Sequence, residues 1–187
     1  MPDLQTLEEL IKRFSLGATG EIIKMQTTFF VAVCSFPAES FTQKENHRVH
    51  FRGKRDFSLG KGQFTGLQLF DNHPLLLKYI EPLVSVHLTS LVTDRQTFRE
   101  ALDVVANRIY GKWRSVERFC SSPSDWTLEK PYGILMEAPL SYAKAVVEAA
   151  GSCGINLILR NQYELKGKKP RVLIIDDWYV IADDFSA

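Results

Sequence analysis

Apolar residues are densest between Gly133 and Ile181, where their periodicity is also clearest. The pattern predicts a strand over Gly133–Glu137, a helix over Pro139–Ala150 and a strand over Ile155–Leu159. A last pair of strands falls within Arg171–Ala182. In the helix, Ala143, Val146, Val147 and Ala150 share one face. Pro139 stands where a helix can begin, and Gly151 and Gly154 end it. Such a unit carries a right-handed crossover. Val172–Ile175 and Trp178–Ala182 read as a hairpin about Asp176-Asp177, because adjacent aspartates suit a turn better than a strand.

Upstream, Leu4, Leu7, Leu10, Ile11 and Phe14 recur at helical spacing, capped by Asp3 or by a Thr6/Glu9 box and stopped by Gly17 and Gly20. A terminal stripe of this kind packs on its own core more often than on a partner. Ile22–Phe36 is a β-branched and aromatic run, expected as one long strand covered on both faces, ended by Pro37 and followed by a loop over Ala38–Asn46. His47–Phe57 alternates, with Val49, Phe51 and Phe57 on one side and His50, Arg52 and Lys54 on the other. Ser58–Gln63 reads as a glycine-bearing turn, so Phe64–Phe70 is expected to return and complete a hairpin.

Asp71–Pro74 caps a short helix through Ile80, and Leu83–Leu88 is a strand. Thr93 or Asp94 caps a helix with Phe98, Ala101, Leu102, Val105 and Ile109 in one stripe, extended past Gly111 by Trp113, Val116 and Phe119. Ser121–Asp125 is the nearest thing to a linker, and it is too short to force a boundary. Hairpins mixed with helical crossovers make the class α+β: one domain over residues 1–187, a mixed and mostly antiparallel sheet with helices packed on it.

Composition narrows the picture little. The chain has 187 residues, 45% hydrophobic and 24% charged, with a formal charge of +1. A chain of this length buries roughly 70% of its unfolded surface and needs neither disulfide nor metal to fold. Cys34, Cys120 and Cys153 are far apart, with no ligand spacing for zinc, and each reads as a small hydrophobe. No segment reaches the ~20 apolar residues of a membrane span. A reducing, cytoplasmic setting without membrane attachment is the expectation.

The charge is uneven. Between Lys44 and Lys61 lie six Lys/Arg against two acids, with Phe51, Phe57 and Phe64 interleaved. A basic ribbon carrying aromatic side chains can follow a phosphate backbone and stack bases, which makes Arg48, Arg52, Lys54, Arg55 and Lys61 the candidate binding residues. A second basic group is Lys166, Lys168, Lys169 and Arg171. His47 and His50 point to opposite faces of a strand and cannot chelate together.

Carboxylates offer the other chemistry. Asp176, Asp177, Asp183 and Asp184 cluster near the C-terminus, and Glu137 ends a strand. Carboxylates gathered at strand ends suit Mg²⁺, which wants hard oxygen ligands. Glu164-Leu-Lys166, with Glu137 or Asp125 upstream, resembles the core of the PD-(D/E)xK nucleases over about thirty residues, although that stretch lacks the Pro-Asp of the motif. The resemblance implies an acidic pair holding the metal and a lysine positioning water. No nucleophile elbow or Walker pattern occurs.

The first expectation is therefore a non-catalytic binding protein, without cofactor, whose basic hairpin 44–61 contacts an acidic partner, nucleic acid or protein. The alternative is a Mg²⁺-dependent hydrolase, a nuclease, using Glu137, Glu164 and Lys166. A third reading is a structural subunit, a homo-oligomer included, acting through an apolar surface such as Leu4–Phe14 or Leu75–Ile80.

Overall fold

A computed structural model describes residues 4–37, 42–120 and 132–187, without the side chains of residues 4–6. In chain order the first elements are α1 (Leu4–Ser15), β1 (Thr19–Met25), β2 (Phe29–Pro37), β3 (Thr42–Arg52), β4 (Asp56–Ser58), β5 (Gly62–Phe64) and β6 (Leu67–Phe70). A 3-10 turn at Pro74–Leu76 leads to α2 (Leu77–Ile80), β7 (Leu83–Leu88), α3 (Arg95–Tyr110), β8 (Gly133–Pro139), α4 (Leu140–Ser152) and β9 (Leu157–Tyr163). The chain closes with β10 (Arg171–Ile175), β11 (Trp178–Ala182) and β12 (Asp184–Ser186). The class is α+β. The elements form two compact units, Met1–Leu76 with Lys168–Ala187, and Leu77–Gly167.

The first unit is a ring of antiparallel strands. β2 pairs with β1 and β3, β3 with β12, β11 with β4 and β10, β10 with β6, and β5 with β1. β3 and β4 are two halves of one bent strand, as are β5 with β6 and β11 with β12. Six staves thus close into a barrel, which leaves no open sheet edge. The bends carry their own hydrogen bonds. Asp183 N–H donates to the Arg52 carbonyl at 2.9 Å, and Arg55 N–H to that of Ile181 at 2.8 Å. At the other bend, Thr65 N–H and Gly66 N–H donate to the Asp176 carboxylate at 2.8 and 2.6 Å.

Alternate residues of every stave fill the interior. Ile22, Phe30, Ala32, Cys34, Val49, Phe51, Leu173, Val180 and Phe185 are all buried there, and Leu7, Leu10 and Phe14 of α1 join the same core. The terminal amphipathic helix therefore packs on its own barrel, and its stripe is not a free surface. Leu75 and Leu76 are buried as well.

Several expectations are corrected. Ile22–Phe36 is two strands joined by a turn at 26–28, and β2 buries one face while the other stays half open. Thr42–Asn46 belongs to β3 rather than to a loop, and positions 38–41 lie outside the described residues. The hairpin of 47–57 with 64–70 does not form. These segments pair instead with β2, with β1 and with the last three strands, whose sequence lies more than a hundred residues away. Gly60-Lys61-Gly62 is shaped by packing, because a Cβ at Gly60 would come within 2.8 Å of the Trp178 indole. The Asp176-Asp177 hairpin forms as expected, with Asp176 at φ 48°.

In the second unit β7 lies between β8 and β9, antiparallel to both. The strand–helix–strand unit of β8, α4 and β9 is present, and its two strands flank β7. Phe98, Leu102 and Val105 of α3 and Tyr142, Ala143 and Val146 of α4 share a core with Val84, Val86, Met136 and Ala138 of the sheet. Asp94 caps α3, accepting from Thr97 N–H at 3.0 Å. That helix stops at Tyr110, where Gly111 turns to φ 56°, so Trp113, Val116 and Phe119 lie in 3-10 turns instead of a continued helix. The Ser121–Asp125 break lies outside the described residues. Among the described residues, no helix is long and apolar enough to cross a membrane.

Candidate functional site

Strand pleating sends successive side chains of β3 to opposite faces. Val49 and Phe51 point into the barrel, while Lys44, Arg48 and Arg52 stand exposed on the outside and His50 is half-buried beside them. Register lays their neighbours beside them. Phe29 of β2 is opposite His50, Val31 opposite Arg48, Val33 opposite Asn46 and Ser35 opposite Lys44. Beyond β2, β1 contributes Lys24 opposite Val31, Glu21 opposite Val33 and Thr19 opposite Ser35, and β5 sets Gln63 opposite Glu21. The outer face thus carries an apolar spine, Phe29–Val31–Val33, flanked by cations.

Phe29 stands at one end of this patch. The Arg48 guanidinium lies 4.9 Å from its ring centroid, and the His50 ring is tilted against it at 5.4 Å. Four cations (Lys24, Lys44, Arg48, Arg52) share the face with two carboxylates, Glu21 and Asp184. Asp184 accepts from Arg171 at 3.3 Å, which leaves Glu21 with no cation bonded to it among the described residues. At the end of the patch away from Phe29 is a shallow depression of about 260 Å³, floored by Val33 and rimmed by Thr19, Glu21, Ser35, Lys44 and Gln63.

The other candidate cations are placed elsewhere. Arg55 forms a two-point ion pair with Asp183, at 3.0 and 3.3 Å. Lys54 lies 4.3 Å above the ring of Phe57, which is half exposed beyond the Gly53 bend rather than on the Val49 side. Lys61 is exposed in the turn between β4 and β5. Arg48 and Arg52 are the two predicted binding residues that share the outer face. Of the second basic group, Arg171 is bound to Asp184 and approaches Asp71 at 3.9 Å.

Among the carboxylates, Asp176, Asp183 and Asp184 are all engaged by protein donors. Glu137 stands exposed on β8, and its charge reaches Tyr163 of β9. Partial burial and this carboxylate raise the Tyr163 pKa. Glu164 and Lys166 are exposed in the segment after β9, and Asp125 lies outside the described residues. Among the described residues, no three His, Cys, Asp or Glu side chains are grouped to hold a metal ion.

The histidines divide as strand geometry requires. His47 turns inward, bonded to Glu45 at 3.2 Å and edge-on to Phe36, while His50 lies on the outer patch. His73 accepts the Leu75 N–H at the start of the 3-10 turn, and burial lowers its pKa. Cys34 is fully buried, and burial, with Glu45 adding to it, pushes its thiol up to about 11, far from a reactive thiolate.

Sequence reasoning missed Phe29, Lys24, Glu21 and Gln63 as members of this face. Their signal was the parity of β2, readable only once the turn at 26–28 separates β1 from β2. No protein-family model matches the chain, and neither the curated proteins nor the solved structures contain a match to it.

Proposed function

We propose that the protein is a non-catalytic binding protein whose outer barrel face holds single-stranded nucleic acid. The observation that carries this reading is Phe29, half-buried on a sheet face, with Arg48 on its ring and Lys24, Lys44 and Arg52 along the same face. Cations neutralise phosphates, and an aromatic ring on the outside of a strand offers a stacking surface to a base. Bases already stacked inside a duplex cannot reach such a ring, so the single strand is favoured.

Fluorescence anisotropy with labelled eight-nucleotide oligomers over a salt series tests the reading. Binding should weaken steeply with salt, and Arg48→Ala with Arg52→Ala should lower the logarithmic salt slope by about 1.4, or 0.7 for each phosphate no longer neutralised. Binding unchanged in this double variant, or absent in the native protein, would overturn it. Equal competition by polyglutamate would point to an acidic protein as the partner. The alternative, a Mg²⁺-dependent nuclease using Glu137, Glu164 and Lys166, predicts cleavage of the same oligomers when Mg²⁺ is added and its loss in Glu137→Gln.

A further inference from the structure

The depression at the far end of the patch has a chemistry distinct from the cationic face around it. Glu21 is an exposed carboxylate with no hydrogen bond to another described residue, on a face otherwise dominated by cations. For a polyanionic ligand this is an unfavourable charge, unless the ligand presents donors to it. Gln63 is directly across the β1–β5 ladder from Glu21 and projects to the same side, as cross-strand pairs do at about 5 Å. Lys44 and Ser35, paired with each other across β2 and β3, close the opposite rim. The site therefore offers a bidentate acceptor beside an amide and an ammonium that donate.

We infer that this depression holds one guanine of the bound strand, with the Glu21 carboxylate on its Watson–Crick edge; the inference rests on the nucleic-acid reading of the face. An ionised carboxylate only accepts, through two oxygens. Guanine presents two parallel donors on one edge, N1–H and N2–H, and an acceptor, O6, beside them. Adenine and cytosine present one amine next to a ring acceptor, and uracil and thymine a single N–H between two carbonyls that the carboxylate would repel. Guanine alone matches both oxygens of Glu21 while its O6 faces the donors, Gln63 or Lys44. Edges of this kind are open to a protein in single strands.

Size and position agree with this assignment. At about 260 Å³ the depression is smaller than the roughly 300–1,000 Å³ of sites that enclose drug-sized molecules, and suits one base. Phe29 and Val33 are four residues apart on one strand, about 13 Å. An extended single strand, stepping roughly twice the 3.4 Å of a stacked one, covers that distance in about two nucleotides. One base on Phe29 and a guanine two positions along would both be satisfied.

The test compares octamers that differ at one position, carrying guanine, inosine, adenine, cytosine or uracil in an otherwise uniform adenine strand. Guanine should bind about 10-fold more tightly than adenine, as a good bidentate pair discriminates. Inosine, which lacks the N2 amine, should fall between them, a comparison that needs no protein variant. Glu21→Gln should remove the guanine preference and, by lifting a negative charge from the face, bind the adenine strand at least as tightly as the native protein does. Tight, salt-dependent binding with no guanine preference, or a preference that survives Glu21→Gln, would overturn the guanine assignment and leave the face as a nucleic-acid surface. Absence of binding to every octamer would overturn both.

Discussion

The rings of Phe14 and Phe64 stack at 4.9 Å and 15° beside Gly20, where any Cβ would clash with the edge of the Phe64 ring and crowd that of Phe14. Gly20 thus lets α1 approach the barrel closely, joining helix and stave through one aromatic pair. Gly20→Ala is expected to cost about 1–3 kcal/mol, the range for overfilling a packed core. Urea unfolding measures it. An alanine variant as stable as the native protein would mean that the rings part freely.

Asp94 gives a pH dependence with a definite sign. Its carboxylate accepts the Thr97 N–H at 3.0 Å and the Thr97 hydroxyl at 2.7 Å, and these bonds hold its pKa below the ordinary 3.8. A carboxyl lowered in the folded state contributes stability that is present above 3.8 and is lost as the pH falls through the folded value. Asn also caps helices but does not titrate. Asp94→Asn should therefore lose less melting temperature than the native protein on acidification below 3.8. Parallel curves for the two would remove the cap as the cause.

Phe29 separates stacking from charge. Phe29→Ala should weaken oligomer binding by about 1–3 kcal/mol, the worth of one stacked base, while leaving the salt slope unchanged. A change in slope with no loss of affinity would place the ring in the packing of Arg48 and not against the ligand.

How far the chain could be read depended on where each signal lies. The second unit was legible, because Val84, Val86, Met136, Ala138 and the stripes of α3 and α4 follow local periods that survive folding. The barrel was not, for two physical reasons. Thr27 and Thr28 are β-branched and continue the strand pattern through a turn that lacks Gly, Pro or Asn, so two staves read as one. And β4 and β6 find their partners in Trp178–Ala182 and Arg171–Ile175, a choice made by closure and not by any neighbouring residue. The binding face suffered from both. Arg48 and Arg52 were visible as cations on one alternation, but Phe29 joined them only when the parity of β2 was known. Lys54 and Arg55 followed Arg52 in sequence, and the Gly53 bend took them away from it.

Closure by the last strands has a consequence for how the molecule is made. Four staves emerge first, then the whole of Leu77–Gly167, and only afterwards the two that complete the circle. Until Arg171–Ser186 leaves the ribosome, β3 and β6 wait with one margin bare, and such margins adhere to one another. Contacts joined over so long a span of chain also form slowly. A chain cut just short of Arg171 would be a sticky intermediate, so residues 171–186 decide between a sealed cylinder and a self-associating strip.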